Sequence, residues 1–215
     1  MWRLGVLVSG NGTNLQALID ACKQREIKGE IVLVASNRKH AYALVRAREA
    51  GIPTLVFEAE KYKTKTLMCS KMAQAFKEKE VDLICLAGYL LKLEPCLIRS
   101  FPRRIINIHP ALLPKYGGTG MYGHHVHKAV LANKETESGC TVHLVDEIFD
   151  HGPILAQNHV PVKPDDTAET LAQRIRPKEH ELYVSVVKHI CTGKLDLDNF
   201  KLSDVSSRGS KSLSF

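Results

Sequence analysis

Short apolar runs alternate with longer helix-compatible segments down the first half of the chain, and this restricts the fold more than any other feature. The runs are Leu4 to Ser9, Ile31 to Ser36, Thr54 to Phe57, Leu83 to Ala87 and Ile105 to His109. Between them, Asn14 to Lys23, Ala41 to Ala50, Lys65 to Lys79 and Cys96 to Phe101 can be helical. Parallel strands need a crossover to connect them, and crossover helices come to cover the faces of the sheet. With 215 residues, 44% of them hydrophobic and 25% charged, the chain can bury one substantial core.

After Pro114 the character changes. A glycine-rich loop runs through Gly123, a helix is expected near Val126 to Asn133, and Cys140 to Val145 and Ile154 to Val160 read as two more strands. Asp166 to Lys188 reads as a long helix that Asp165 or Asp166 can cap and that Pro177 should bend or split. The stretch Ser203 to Phe215 is Ser-rich with Lys and Arg and has no sustained apolar period, which predicts a mobile tail. The expected organisation is one domain over 1–198 and a tail over 199–215. The first apolar run ends at Ser9-Gly10-Asn11-Gly12, a strand's length, and lacks a signal peptide's cleavage site. No run approaches the roughly 18 apolar residues of a spanning helix, so no membrane association is expected. The six cysteines are scattered without a Cys-x-x-Cys pair, and reduced thiols in a cytoplasm are the expected state.

Two segments carry chemistry. Ser9-Gly10-Asn11-Gly12-Thr13-Asn14-Leu15 lies between a strand and a helix, where backbone N–H groups receive anions. Leu15 stands where a dinucleotide fingerprint needs its third glycine, and no acidic residue closes the second strand, which disfavours a nicotinamide cofactor. The segment therefore reads either as a site for a single phosphomonoester or as an ordinary turn capped by Thr13 or Asn14. The net charge of +7 suits an anionic ligand and equally suits a solubilising surface.

In Asn107-Ile108-His109-Pro110, side-chain alternation points the amide and the imidazole to one side of an extended segment. Pro110 keeps His109 out of helix, at a strand end, where active sites of open α/β sheets collect. Asp150 follows an apolar strand and precedes the turn sequence His151-Gly152-Pro153, so it can fold back over the strand end. Meeting His109 there, it would favour the imidazolium and raise the histidine's pKa. Protonated His109 and Asn107 would then offer two donors to one oxyanion; the competing reading is a packed or exposed histidine. Gly123-His124-His125-Val126-His127 lacks the partners of a zinc site, leaving contacts to an anionic substrate or surface histidines. For Glu179-His180, spacing does not choose between a site and solvent.

The stretches VSGNGTNLQALIDAC, IINIHPALLPKYGG, GHHVHKAV, GCTVHLVDEIFDHGPILAQ and KEHELY together resemble the phosphoribosylglycinamide formyltransferases, a folate-dependent family of purine biosynthesis, over about residues 1–190. The resemblance implies a single Rossmann-like α/β domain with a mostly parallel sheet, helices on both faces and antiparallel strands near the C-terminal part. It implies a cytoplasmic transferase of one-carbon metabolism, moving a formyl group from 10-formyltetrahydrofolate to the amine of glycinamide ribonucleotide on the way to IMP, without a metal. Carried onto this chain, Gly12, Thr13, Asn14 and Glu179 match the substrate site, and His109, Asn107 and Asp150 match the general acid, its polarising partner and the carboxylate that keeps it protonated. Lys65, Leu90, Leu91, Lys92, Leu93 and Asn107 match folate contacts, with the turn Val145 to Asp150. Leu91 stands where many relatives have Arg, and Lys115 to His125 is longer and richer in Gly than the commonest form.

Three other classes of protein compete with this resemblance. A methionyl-tRNA formyltransferase carries a further RNA-binding barrel that the residues after 190 are too few to build, and a formyltetrahydrofolate hydrolase adds an N-terminal regulatory domain. A nucleic-acid-binding module would use the basic balance, but 6% aromatic residues offer few stacking platforms. The expected partners are small molecules rather than nucleic acid, with the chain a monomer or homodimer.

Overall fold

The computed structural model describes residues 1–200; the expected tail lies, from residue 201 on, outside the described residues. Seven strands form one sheet: β1 (Trp2–Val8), β2 (Gly29–Ser36), β3 (Thr54–Val56), β4 (Leu83–Leu86), β5 (Ile105–His109), β6 (Glu137–Leu144) and β7 (Ile154–Pro161). The helices are α1 (Thr13–Lys23), α2 (Tyr42–Glu49), α3 (Lys65–Glu78), α4 (Pro95–Ser100), α5 (His124–Ala132) and α6 (Ala168–Cys191). The order β3-β2-β1-β4-β5-β6-β7 is parallel through β5 and antiparallel at β5–β6 and β6–β7. Its direction of growth reverses between β1 and β4, so the loops after those strands part and leave a crevice at the carboxyl edge.

Both faces of the sheet are covered, which is why β1 and β4 are apolar rather than alternating. Leu4, Val6 and Val8 pack with α1, α2 and α6 on one face, while Leu7 and Ile84 pack with Met72 and Phe76 of α3 and Leu97 of α4 on the other. Tyr183 of α6 is fully buried and donates its hydroxyl to the carbonyls of Leu86 and Ile106, fixing α6 across β4 and β5.

Three expectations give way. Pro177 does not split α6, which continues to Cys191 with Leu171 and Ile175 buried before the proline and Leu182, Val186 and Ile190 after it. Packing on both sides compensates for the backbone hydrogen bond a proline lacks. The α6 cap is Thr167, in a reciprocal capping box with Thr170, rather than Asp165 or Asp166. Asp166 is instead drawn to Arg174, whose guanidinium holds its carboxyl down to about 2. Cys69 of α3 and Cys96 of α4 form a disulfide, so the thiols are not all free; partners so distant in sequence leave no spacing signal. Cys22, Cys85, Cys140 and Cys191 are free thiols. No described helix is long and apolar enough to cross a membrane.

Candidate active site

A cleft of about 600 Å³ opens at the carboxyl ends of β1, β4 and β5. Asn107 and His109 enter it from β5, as their alternation predicts, and Asp150 enters from the turn between β6 and β7. Oδ2 of Asp150 lies 3.5 Å from Nδ1 of His109, and Oδ1 accepts from Nδ2 of Asn107 at 3.3 Å. The Gly118 N–H donates to Oδ2 at 3.0 Å, tying the glycine-rich segment to the same carboxylate. The side chains of His109 and Asp150 are only 4% and 9% exposed.

His143 is the residue that sequence reading missed. It pairs with Asn107 in the β5–β6 register, its Nδ1 sits 2.8 Å from the Leu144 carbonyl, and its Nε2 sits 3.1 Å from Nδ2 of Asn107. Nε2 also lies 3.5 Å from Oδ1 of Asp150: with Nδ1–H donating to the carbonyl, the neutral ring accepts one Asn107 hydrogen and orients the amide, and the protonated ring donates toward Asp150. Its one signal was alternation along GCTVHLV, which puts Thr141 and His143 on one face. That face is recognisable as the site's only once the partner strand is known.

Electrostatics overturns one expectation. Burial is the largest influence on His109 and leaves its pKa below the ordinary value, although Asp150 and the Tyr116 carbonyl, 2.8 Å from Nε2, both push it up. The charge of Asp150 acts in the expected direction; the desolvation of a nearly enclosed imidazole outweighs it. Asp150 has the opposite outcome: burial pushes its carboxyl up, but His143, His109 and the Gly118 N–H together hold it below the usual range.

Asn14 and Glu179 also line the cleft, with Arg176 and Glu169. Burial pushes Glu179 up to about 7 against its hydrogen bond to Asn14 and the charge of Arg176. Gly12, at φ +76°, is the N-cap of α1, and neither Thr13 nor Asn14 caps that helix. Gly12 and Thr13 are not among the cleft-lining residues. Leu90, Leu91, Lys92 and Leu93 line the cleft together with Val145, Asp146, Ile148 and Phe149. Lys65, the first residue of α3, is exposed and stands apart from that lining. His124 and His127 border the cleft, whereas His125 stacks edge-on with Tyr122 at 5.2 Å. Burial takes His127 down to about 4, and its Nδ1 has no hydrogen-bond partner among the described residues.

An open α/β sheet carrying amide, imidazole and carboxylate at one strand end is the framework of an acyl-transfer enzyme. The chain belongs to the formyl transferase family, which matches residues 2–187. It is 41% identical to the phosphoribosylglycinamide formyltransferase of Haemophilus influenzae over 95% of this chain and 94% of that protein. It is 43% identical to the chloroplastic phosphoribosylglycinamide formyltransferase of Arabidopsis thaliana over 90% of its length, and spans 66% of that longer relative. The crystal structure of glycinamide ribonucleotide transformylase 1 from Symbiobacterium toebii superposes with a TM-score of 0.86 at 40% identity, covering 91% of this chain and 90% of that one.

Proposed function

We propose that this chain transfers the formyl group of 10-formyltetrahydrofolate to the primary amine of glycinamide ribonucleotide, as a cytoplasmic enzyme of purine biosynthesis that needs no metal. The observation that carries the reading is the convergence of Asn107, His109 and Asp150 on one cleft, with His143 fixing the amide. The Leu90 to Leu93 segment and the Val145 to Phe149 turn offer apolar walls to a pterin. Asn14, Glu179 and the start of α1 offer polar groups to a phosphorylated ribose.

In this reading the amine attacks the formyl carbon, and the carbonyl electrons move onto oxygen. With one Asn107 hydrogen held by His143, the other, which meets Asp150 at 3.3 Å, is the one that oxygen can share. His109 supplies the second donor, sharing or releasing its Nε2 contact with Tyr116. The developing negative charge opposes the effect of burial and favours the imidazolium when it is needed. As the bond from carbon to the folate nitrogen breaks, that nitrogen takes a proton and the former amine loses one; Asp150 beside His109 relays between them. Holding both reactants in one cleft supplies much of the rate.

Following loss of the formyl group from 10-formyltetrahydrofolate with and without glycinamide ribonucleotide tests this. Turnover only with the ribonucleotide is expected. Acceptor-independent hydrolysis, or transfer to a charged tRNA instead, would replace the reading.

A further inference from the structure

The turn that carries Asp150 is packed on its inner side, against Gly117 and Leu144, but its outer side is open. Glu147, Ile148 and His151 are exposed, and Asp150 adopts φ +50°, a backbone region that is strained for a residue with a Cβ. Left unrestrained, such a turn lets Asp150 fall into an ordinary conformation and carries its carboxylate away from His109. The inner hydrogen bonds of Asp150, to Gly118 and Asn107, act on its carboxylate, and Gly117 packs against its Cβ.

On the outer side the backbone is tied by Asp146. Its Oδ1 accepts the Ile148 N–H at 2.8 Å, and its Oδ2 lies 2.7 Å from Nδ1 of His151. One carboxylate at the start of the turn thus grips both its middle and the residue next to Asp150, closing 146–151 into a ring that contains Asp150. The chain beyond leaves no slack, because a Cβ on Gly152 would stand 1.9 Å from the Leu144 carbonyl oxygen. A second tie, Arg99 to Glu147 at 3.1 Å, is exposed on both sides, and such pairs contribute little.

We propose that His151 is a positioning residue for formyl transfer: its hydrogen bond to Asp146 fixes the turn in the conformation that sets Asp150 against His109. Asp146, Ile148, Phe149 and Asp150 line the cleft, whereas His151 does not. The proposal rests on the formyl-transfer reading above.

The test uses the full chain with His151→Ala, His151→Gln, Asp150→Asn and the Asp150→Asn/His151→Ala double variant. His151→Ala is expected to lower kcat about tenfold while changing KM for glycinamide ribonucleotide little, because a misplaced Asp150 affects the proton transfer rather than the contacts to the phosphorylated ribose. Gln brings an N–H to the same carboxylate, so His151→Gln should recover most of the loss. The His109 imidazole, followed by NMR, should titrate lower in His151→Ala, as in Asp150→Asn. It should not move further in the double variant, since residues acting through one group are not additive. Wild-type kcat in His151→Ala, a Gln variant no better than Ala, or an undiminished His109 shift in the double variant would each overturn the proposal. Absence of ribonucleotide-dependent turnover in the wild-type chain would instead overturn the underlying reading, with the His109 titrations still reporting on the turn.

Discussion

Nδ1 of His109 lies 3.5 Å from Oδ2 of Asp150 while its Nε2 lies 2.8 Å from the carbonyl oxygen of Tyr116, so both ring nitrogens face acceptors. A neutral imidazole has one N–H and satisfies only one of them; the imidazolium satisfies both. Burial works the other way and prevails. Asp150 is therefore the largest support for the charged form, and Asp150→Asn should move the His109 titration, read by NMR, to lower pH. A form of the enzyme that needs imidazolium should then lose activity at lower pH on the alkaline side of its profile. An unmoved His109 titration would show that the carboxylate does not act on the ring.

Removal of any one of Asn107, His109 or Asp150 should reduce kcat by roughly two to three orders of magnitude, the scale of a lost oxyanion donor or acid–base group. The losses should not sum in double variants, because the three act on one oxygen and one proton. Steady-state kinetics of the Ala variants checks this, and near-wild-type turnover in His109→Ala would contradict it.

His143 should matter through Asn107. His143→Phe keeps the ring volume but removes the Nε2 acceptor, freeing the Asn107 amide to rotate. The expected result is a fall in kcat of about tenfold, on the scale of one mispositioned donor. Since Asn107→Ala already lacks the amide, adding His143→Phe to it should cost little more, and a full additional loss would rule this role out.

Some of this was legible in the sequence because it follows from local periodicity. Period-two alternation gave Asn107 and His109 a common side, and the alternation of apolar runs with helical segments gave the parallel part of the sheet. What stayed hidden depends on register between distant segments. His143 becomes a site residue only when antiparallel pairing sets it opposite Asn107, and Cys69 meets Cys96 only when α3 and α4 pack. The direction of the His109 shift was misread for a related reason: the charge of Asp150 could be anticipated, but the enclosure of the ring could not. Of the bend or split that Pro177 predicts, the split does not occur, because its local penalty is outweighed by the burial of α6 on both sides of it.

Gly12→Ala should destabilise the fold by about 2 kcal/mol, since it combines positive φ with a close approach of helices. A Cβ at φ +76° would lie 2.5 Å from the Ala43 Cβ and 2.8 Å from its Cα, forcing the loop after β1 off α2. Denaturant unfolding measures the loss. The same shift should raise KM for the ribonucleotide, whose phosphate is assigned to the start of α1, more than KM for the folate. Equal changes in both would argue against that assignment.

Glu179 yields a prediction about stability against pH whose sign is fixed by its surroundings. Its folded pKa, raised from 4.5 to about 7 by burial, means that the native state binds a proton over a range where the unfolded chain has released it. That contribution is fully present below the unfolded value, declines as pH rises through about 7, and is gone above it, where an ionised carboxylate stays enclosed beside Asn14. Glu179→Gln is neutral at every pH and similar in shape. Its Tm relative to the wild type should therefore rise between pH 5 and pH 8, on the order of 3 °C for a chain of this size. Catalytic loss in the same variant is a separate readout of substrate contact. A Tm difference that stays flat across this range would mean that the Glu179 carboxyl is hydrated in the folded protein and titrates as it does in the unfolded chain.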